Sequence, residues 1–100
     1  MIKILLCCAS GMSTSLLVEK MKRAATKQNV EAEIWAVNAE NTDLNDVEAD
    51  IIFLGPQVRY AKDEIQETVG SIPVYMIGMK DYGMMNGESV LEQALEYLGK

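Results

Sequence analysis

Histidine is absent from the 100 residues of this chain, and its two cysteines, Cys7 and Cys8, are neighbours. Without histidine there is no Cys–His dyad, no His-based triad and no imidazole metal ligand. Two adjacent thiols build neither a structural zinc site nor a disulfide framework. A reducing cytoplasm is the plain expectation. No apolar run approaches the roughly 20 residues that cross a bilayer, and the N-terminus carries none of the marks of a secretory signal. The pattern G-x-x-x-x-G-K-[ST] is missing, which argues against an NTP-dependent kinase; C-x-x-C is missing too, which argues against a thioredoxin-like role. Positive charge is scarce: 9 Lys and Arg against 15 Asp and Glu leave a net charge of −6. A basic face for nucleic acid is therefore not expected, and any bound anion has to be held by local geometry.

What is present is alternation. Apolar runs at Ile2–Cys7, Ala32–Val37, Asp50–Leu54 and Ile72–Ile77 read as strands, the first and third apolar nearly throughout, as in a parallel sheet buried on both faces. Between the first two, residues 13–28 place Leu16, Leu17, Met21, Ala24 and Ala25 on one helical stripe, with Glu19 and Arg23 one turn apart on the outer face. Pro56 follows Gly55 and opens a helix over residues 57–69 that Gly70 ends. A last helix over residues 87–98 turns Val90, Leu91, Ala94, Leu95 and Leu98 inward. In the linker of residues 38–49, Asn41-Thr42-Asp43 suits the cap of a short helix. The pattern predicts one α/β domain over residues 1–100, with a four-stranded parallel sheet flanked by helices. Ligands of such sheets sit beyond the strand carboxyl ends, where Cys8–Ser15, Gly55–Tyr60 and Gly78–Gly83 would converge.

The stretch Cys7-Cys8-Ala9-Ser10-Gly11-Met12-Ser13-Thr14-Ser15 joins the first strand to the first helix. Backbone N–H groups at a helix N-terminus, a glycine that permits close approach and four hydroxyls suit a phosphate or similar oxyanion. The same field favours a thiolate at Cys8, while Cys7, still in the strand, points into the core as a small hydrophobe. The spacing resembles the cysteine phosphatase loop C-x5-R-[ST], but Thr14 stands where that loop has its arginine. With no arginine clamp and no histidine to move protons, a phosphocysteine here is poorly equipped to hydrolyse, and a carrier is the more natural reading.

Three stretches in order, CCASGMSTSLLVEKM, ADIIFLGPQVRY and DYGMMNGESVL, resemble the IIB component of the bacterial phosphoenolpyruvate-dependent sugar phosphotransferase system, in its lactose/cellobiose (chitobiose-related) branch. The resemblance implies a cytoplasmic domain like half of a flavodoxin-like fold, with a P-loop-like anion site after strand 1. It implies a phosphohistidine–sugar phosphotransferase activity. A IIA phosphohistidine protein would donate to Cys8, and the group would pass to a sugar, cellobiose or chitobiose before lactose, carried by a membrane IIC permease. Ala9, Ser10, Gly11, Met12, Ser13, Thr14 and Ser15 map onto the family's phosphate-binding loop. Gln57, Arg59, Tyr60 and Tyr82 are candidates for a supporting shell or a docking surface, as are Met84 and Met85; the cations Lys20, Lys22, Arg23 and Lys27 read as a solvated face. Some relatives carry an acidic residue where this chain has Gly78, so that carboxylate is missing here or supplied by Asp81. No metal or cofactor is needed, because the loop supplies the positive complement, and a monomer is expected. The rival readings are a small cysteine phosphatase or arsenate reductase, and a relative that keeps the fold without transferring phosphate.

Overall fold

The computed structural model describes residues 1–8, 11–39 and 43–99, and of residues 11–13 the backbone alone. Its elements are β1 (Ile2–Cys8), α1 (Gly11–Lys27), β2 (Ala32–Asn38), β3 (Ile51–Leu54), a 3₁₀ segment (Pro56–Ala61), α2 (Lys62–Val69), β4 (Val74–Met76), α3 (Met79–Gly83) and α4 (Gly87–Tyr97). The sheet runs β2-β1-β3-β4 with every pair parallel, the four-stranded α/β arrangement that the alternation predicts.

Alternation along β1 divides the core in two. Ile4 and Leu6 face α1 and α4, packing with Leu17, Met21, Phe53, Val90, Leu91 and Ala94. Leu5 and Cys7 face the opposite layer, with Leu44, Ile52, Leu54, Val58 and Ile65. That is why β1 and β3 read as continuous apolar runs: each supplies both layers. The mean burial of the α1 stripe is as expected except at Leu16, which is exposed; Val18 is buried in its place, because the helix is seated slightly rotated from the sequence stripe.

Several boundaries differ from the sequence reading. β1 extends one residue to Cys8, because β2 runs to Asn38 and the Ala39 N–H donates to the Cys8 carbonyl at 3.0 Å. The helix expected over residues 57–69 is two pieces: Val58, at φ −117° and ψ 20°, departs from helical geometry, and α2 starts only at Lys62. Gly70, at φ 68°, ends it as expected. β4 is shorter than its apolar run, Val74–Met76, and α1 begins at Gly11, earlier than residue 13. Of the suggested cap in the linker, Asn41 and Thr42 lie outside the described residues. Asp43 accepts from the Asn45 backbone N–H at 2.9 Å, a local Asx turn, and no helix forms over residues 43–50.

The short helix α3 is not signalled by periodicity; it is held from outside. The Asp81 carboxylate accepts from the Ser89 hydroxyl at 3.1 Å and the Gln93 amide at 2.9 Å, both on α4. Asn86 caps α4 through its side-chain oxygen and the Ser89 N–H. Asp81 is thus committed to α4.

Candidate functional site at the strand carboxyl ends

The order β2-β1-β3-β4 places the topological switch between β1 and β3, since the chain leaves β1 towards one edge and β3 towards the other. Cys8 ends β1 and Gly55 follows β3, so both stand at that crevice. The Gly55 N–H donates to the Cys7 carbonyl at 2.8 Å, tying the two strand ends together. A Cβ built on Gly55 would lie 3.5 Å from Cys8 Cβ and 3.5 Å from Tyr82 Cε1. Tyr82 comes from α3, beyond β4, so all three segments expected to converge do so.

Cys8 is fully buried, at 0% exposure, and closes β1, where the sequence reading makes it the first residue of the loop. Its place as the last residue of β1, bonded on to the segment after β2, accounts for the difference. Thr14, in the first turns of α1, is 1% exposed, and its hydroxyl lies 3.4 Å from that of Tyr82, itself 8% exposed. At that length the bond is weak, and it links the start of α1 to α3.

The remaining expectations divide. Gln57 reaches the crevice, its Oε1 close to Gly55, while Arg59 and Tyr60 sit exposed on the 3₁₀ segment, Tyr60 at 71%. Ser15 is exposed. Ala9 and Ser10, and the side chains of Gly11, Met12 and Ser13, lie outside the described residues. The sequence places Gly55 in one of the converging segments, but its contact with Cys8 and Tyr82 is not read from it. The signal was its position, the first residue after a fully apolar strand, where an added Cβ would reach ordinary contact with the neighbouring strand end and with Tyr82. Substituting alanine there is expected to be nearly neutral, under about 1 kcal/mol in urea denaturation. The single close contact, 2.7 Å, is to Gln57 Oε1, the mobile end of an exposed side chain, and φ is an ordinary −66°. Valine at the same position would press on Cys8 and Tyr82 and should destabilise by about 1–3 kcal/mol.

Cys7 behaves as the buried hydrophobe expected of it. Desolvation first, and the neighbouring Cys8 charge second, push its thiol from 9.0 up to about 12. The folded chain therefore keeps a proton that the unfolded chain loses above about pH 9, and this contribution to stability disappears as pH rises towards 12. Between those limits Cys7 should steepen the loss of stability by up to about 1.4 kcal/mol per pH unit. Denaturation midpoints of wild type and Cys7→Ala from pH 8 to about 11 check it: the difference between the two should shrink as pH rises.

Among the described residues, no group of His, Cys, Asp and Glu could hold a metal ion, and no helix is long and apolar enough to cross a membrane.

The fold and its crevice define a small parallel α/β domain with a thiol at the switch point between its two central strands. Residues 3–93 match the family described as the lactose/cellobiose-specific IIB subunit of the PTS system. The chain is 46% identical over 98 residues to the oligo-beta-mannoside-specific EIIB component of Bacillus subtilis (strain 168), covering 96% of this chain and 95% of that one. It is 41% identical over 98 residues to the cellobiose-specific EIIB component of Lactococcus lactis subsp. lactis (strain IL1403), covering 91% of each. Among solved structures, the cellobiose-specific phosphotransferase IIB component protein from Borrelia burgdorferi superposes with a TM-score of 0.75 at 37% identity, over 95% of this chain and 89% of that one. The chain belongs to the lactose/cellobiose-specific IIB subunits of the sugar phosphotransferase system.

Proposed function

We propose that this chain is a phosphoryl carrier in which Cys8 is the residue phosphorylated. The observation that carries the reading is the position of Cys8 at the carboxyl end of β1, beside Gly55 at the switch point and three residues before the start of α1 at Gly11. In the first step the Cys8 sulfur, as thiolate, attacks the phosphorus of a IIA phosphohistidine. The S–P bond forms, the N–P bond breaks, and the imidazole nitrogen leaves with the electron pair. In the second step a sugar hydroxyl presented by the IIC permease attacks the same phosphorus, and Cys8 leaves as thiolate. The overall activity is that of a protein-phosphohistidine–sugar phosphotransferase, working in the cytoplasm against a membrane partner.

Residues 9–15 are the proposed phosphate cradle, their N–H groups and hydroxyls compensating the oxygens without a metal. The sugar is proposed to be a β-linked disaccharide such as cellobiose or chitobiose; two relatives are named for oligo-beta-mannoside and cellobiose. Specificity would belong to the permease, since this domain meets only the reacting hydroxyl.

Thr14 bears on hydrolysis. It stands, buried, at the position of the phosphatase arginine, so the loop itself supplies no guanidinium to a phosphoryl group that water might attack. The expected result is no turnover of p-nitrophenyl phosphate by the wild-type chain, measured as nitrophenolate release. Steady turnover lost in Cys8→Ser would replace the carrier by a cysteine phosphatase.

A further inference from the structure

Away from the crevice, a groove of about 400 Å³ lies between α1 and the turn that joins α3 to α4. One wall is Lys20, Arg23 and Lys27, at the i, i+3, i+7 spacing that lines side chains along one helical stripe. The other is Met84, 64% exposed, and Met85, whose φ of 51° marks the tight turn that presents them. Four of the chain's nine basic residues, Lys20, Lys22, Arg23 and Lys27, stand on α1 with one acid, Glu19. The remainder of the chain is thus more acidic than its net charge of −6. None of the three groove cations forms an ion pair among the described residues, where Lys3–Glu48 is the pair found. The Glu19–Arg23 pair that sequence spacing allows is not made.

We propose that this groove docks the phosphohistidine donor protein, through an acidic surface segment that carries an apolar side chain. The inference rests on the carrier reading above. Unpaired cations beside one exposed methionine, Met84, with the partly buried Met85 behind it, fit an acidic rim with an apolar centre, and methionine adapts to the shape it meets. The membrane partner fits poorly: cytoplasmic loops of membrane proteins are rich in Lys and Arg, and α1 would repel them. Such loops suit instead the acidic surface that includes Asp63, Glu64 and Glu67 of α2. An anionic lipid surface fits no better, because the cations line a concavity that a protruding protein segment can enter and a flat bilayer surface cannot. Lys20 and Lys27 lie nine and 16 residues along α1 from Gly11, roughly 14 and 24 Å at ~1.5 Å per residue, within the span of about 30 Å of a patch of ~800 Å². One interface of ordinary size therefore covers the groove and the crevice together.

The test compares wild type with Lys20→Glu/Arg23→Glu/Lys27→Glu and, on the other wall, with Met84→Ser, each checked for its fold by circular dichroism. The probe is the phosphorylated IIA protein that charges the wild-type chain fastest. The triple variant should raise KM for that donor roughly tenfold or more with kcat within about twofold, and added salt should erase the difference. Met84→Ser should raise KM more modestly. Adding unphosphorylated IIA to labelled wild type should shift amide resonances of residues 20–27 and 84–88. Unchanged KM in both variants, with shifts confined to other surfaces, would overturn the inference. So would binding to phosphatidylglycerol vesicles that the triple variant loses while its KM stays the same. A Cys8 adduct without groove shifts sinks the docking site alone; groove shifts without any adduct support the docking site and sink the carrier reading.

Discussion

Gly87→Ala is expected to lower the stability of the fold by about 2–3 kcal/mol, at the upper end of what added bulk costs in a packed interior. A Cβ at this position would lie 2.5 Å from the backbone nitrogen of Met21, 2.6 Å from the carbonyl carbon of Lys20 and 2.7 Å from Lys20 Cβ. Two of these are backbone atoms in the middle of α1, so no side-chain rotation relieves the contact. Either α4 lifts from α1 or the first turn of α4 unwinds, and both open the layer built on Leu17, Met21, Val90 and Leu91. Gly83→Ala is the matched control: nothing lies within 4 Å of its added Cβ, and alanine is the better helix former. Urea denaturation should move the Gly87→Ala midpoint far down with the slope unchanged, and leave Gly83→Ala within about 0.5 kcal/mol of wild type or above it. A wild-type midpoint for Gly87→Ala would mean that α1 and α4 do not approach as closely as described.

The effect would reach function as well as stability. α1 carries Thr14 at its start and the three groove cations along its length, and α4 is the element that holds it in place through Gly87. A shift of α1 would therefore disturb both ends of the proposed carrier surface.

The sheet was legible in the sequence because β1 and β3 are apolar on both faces, a pattern that only a two-sided core produces. The three converging segments were legible for the same reason: parallel strands deliver their carboxyl ends to one edge. The local breaks were harder. Val58 leaves helical geometry because it is buried against the second layer, a tertiary demand invisible in a helix-compatible sequence with proline at its start. α3 has no apolar period of its own and depends on Asp81 meeting Ser89 and Gln93 across the turn. Leu16 and Val18 exchange burial because a small rotation of a helix moves neighbouring stripes in and out of the core. In the candidate site, residue types announced Cys8 and Thr14, but not that Thr14 is buried and paired with Tyr82. Nor did spacing reveal Gly55 as the contact between strand ends. Long-range packing, not local preference, decides each of these.

The second large effect concerns the sulfur itself. Cys8→Ser keeps the size and hydrogen-bonding capacity of the side chain, so the end of β1 and its register with Asn38 should persist. What is lost is the nucleophile: the chain has no histidine to activate a serine hydroxyl, which ionises far less readily than a thiol. Phosphoryl acceptance should fall below detection while the circular dichroism spectrum is unchanged. Cys7→Ser, one residue earlier and on the opposite face of the sheet, should cost stability by burying a hydroxyl among apolar neighbours, yet leave acceptance intact.

The most direct test is intact-protein mass spectrometry of wild type, Cys7→Ser and Cys8→Ser after incubation with phosphoenolpyruvate, the general phosphotransferase proteins and a IIA protein. The account predicts a single phosphoryl adduct on wild type and on Cys7→Ser, and none on Cys8→Ser. An adduct that survives in Cys8→Ser, or one that disappears with Cys7, would contradict it.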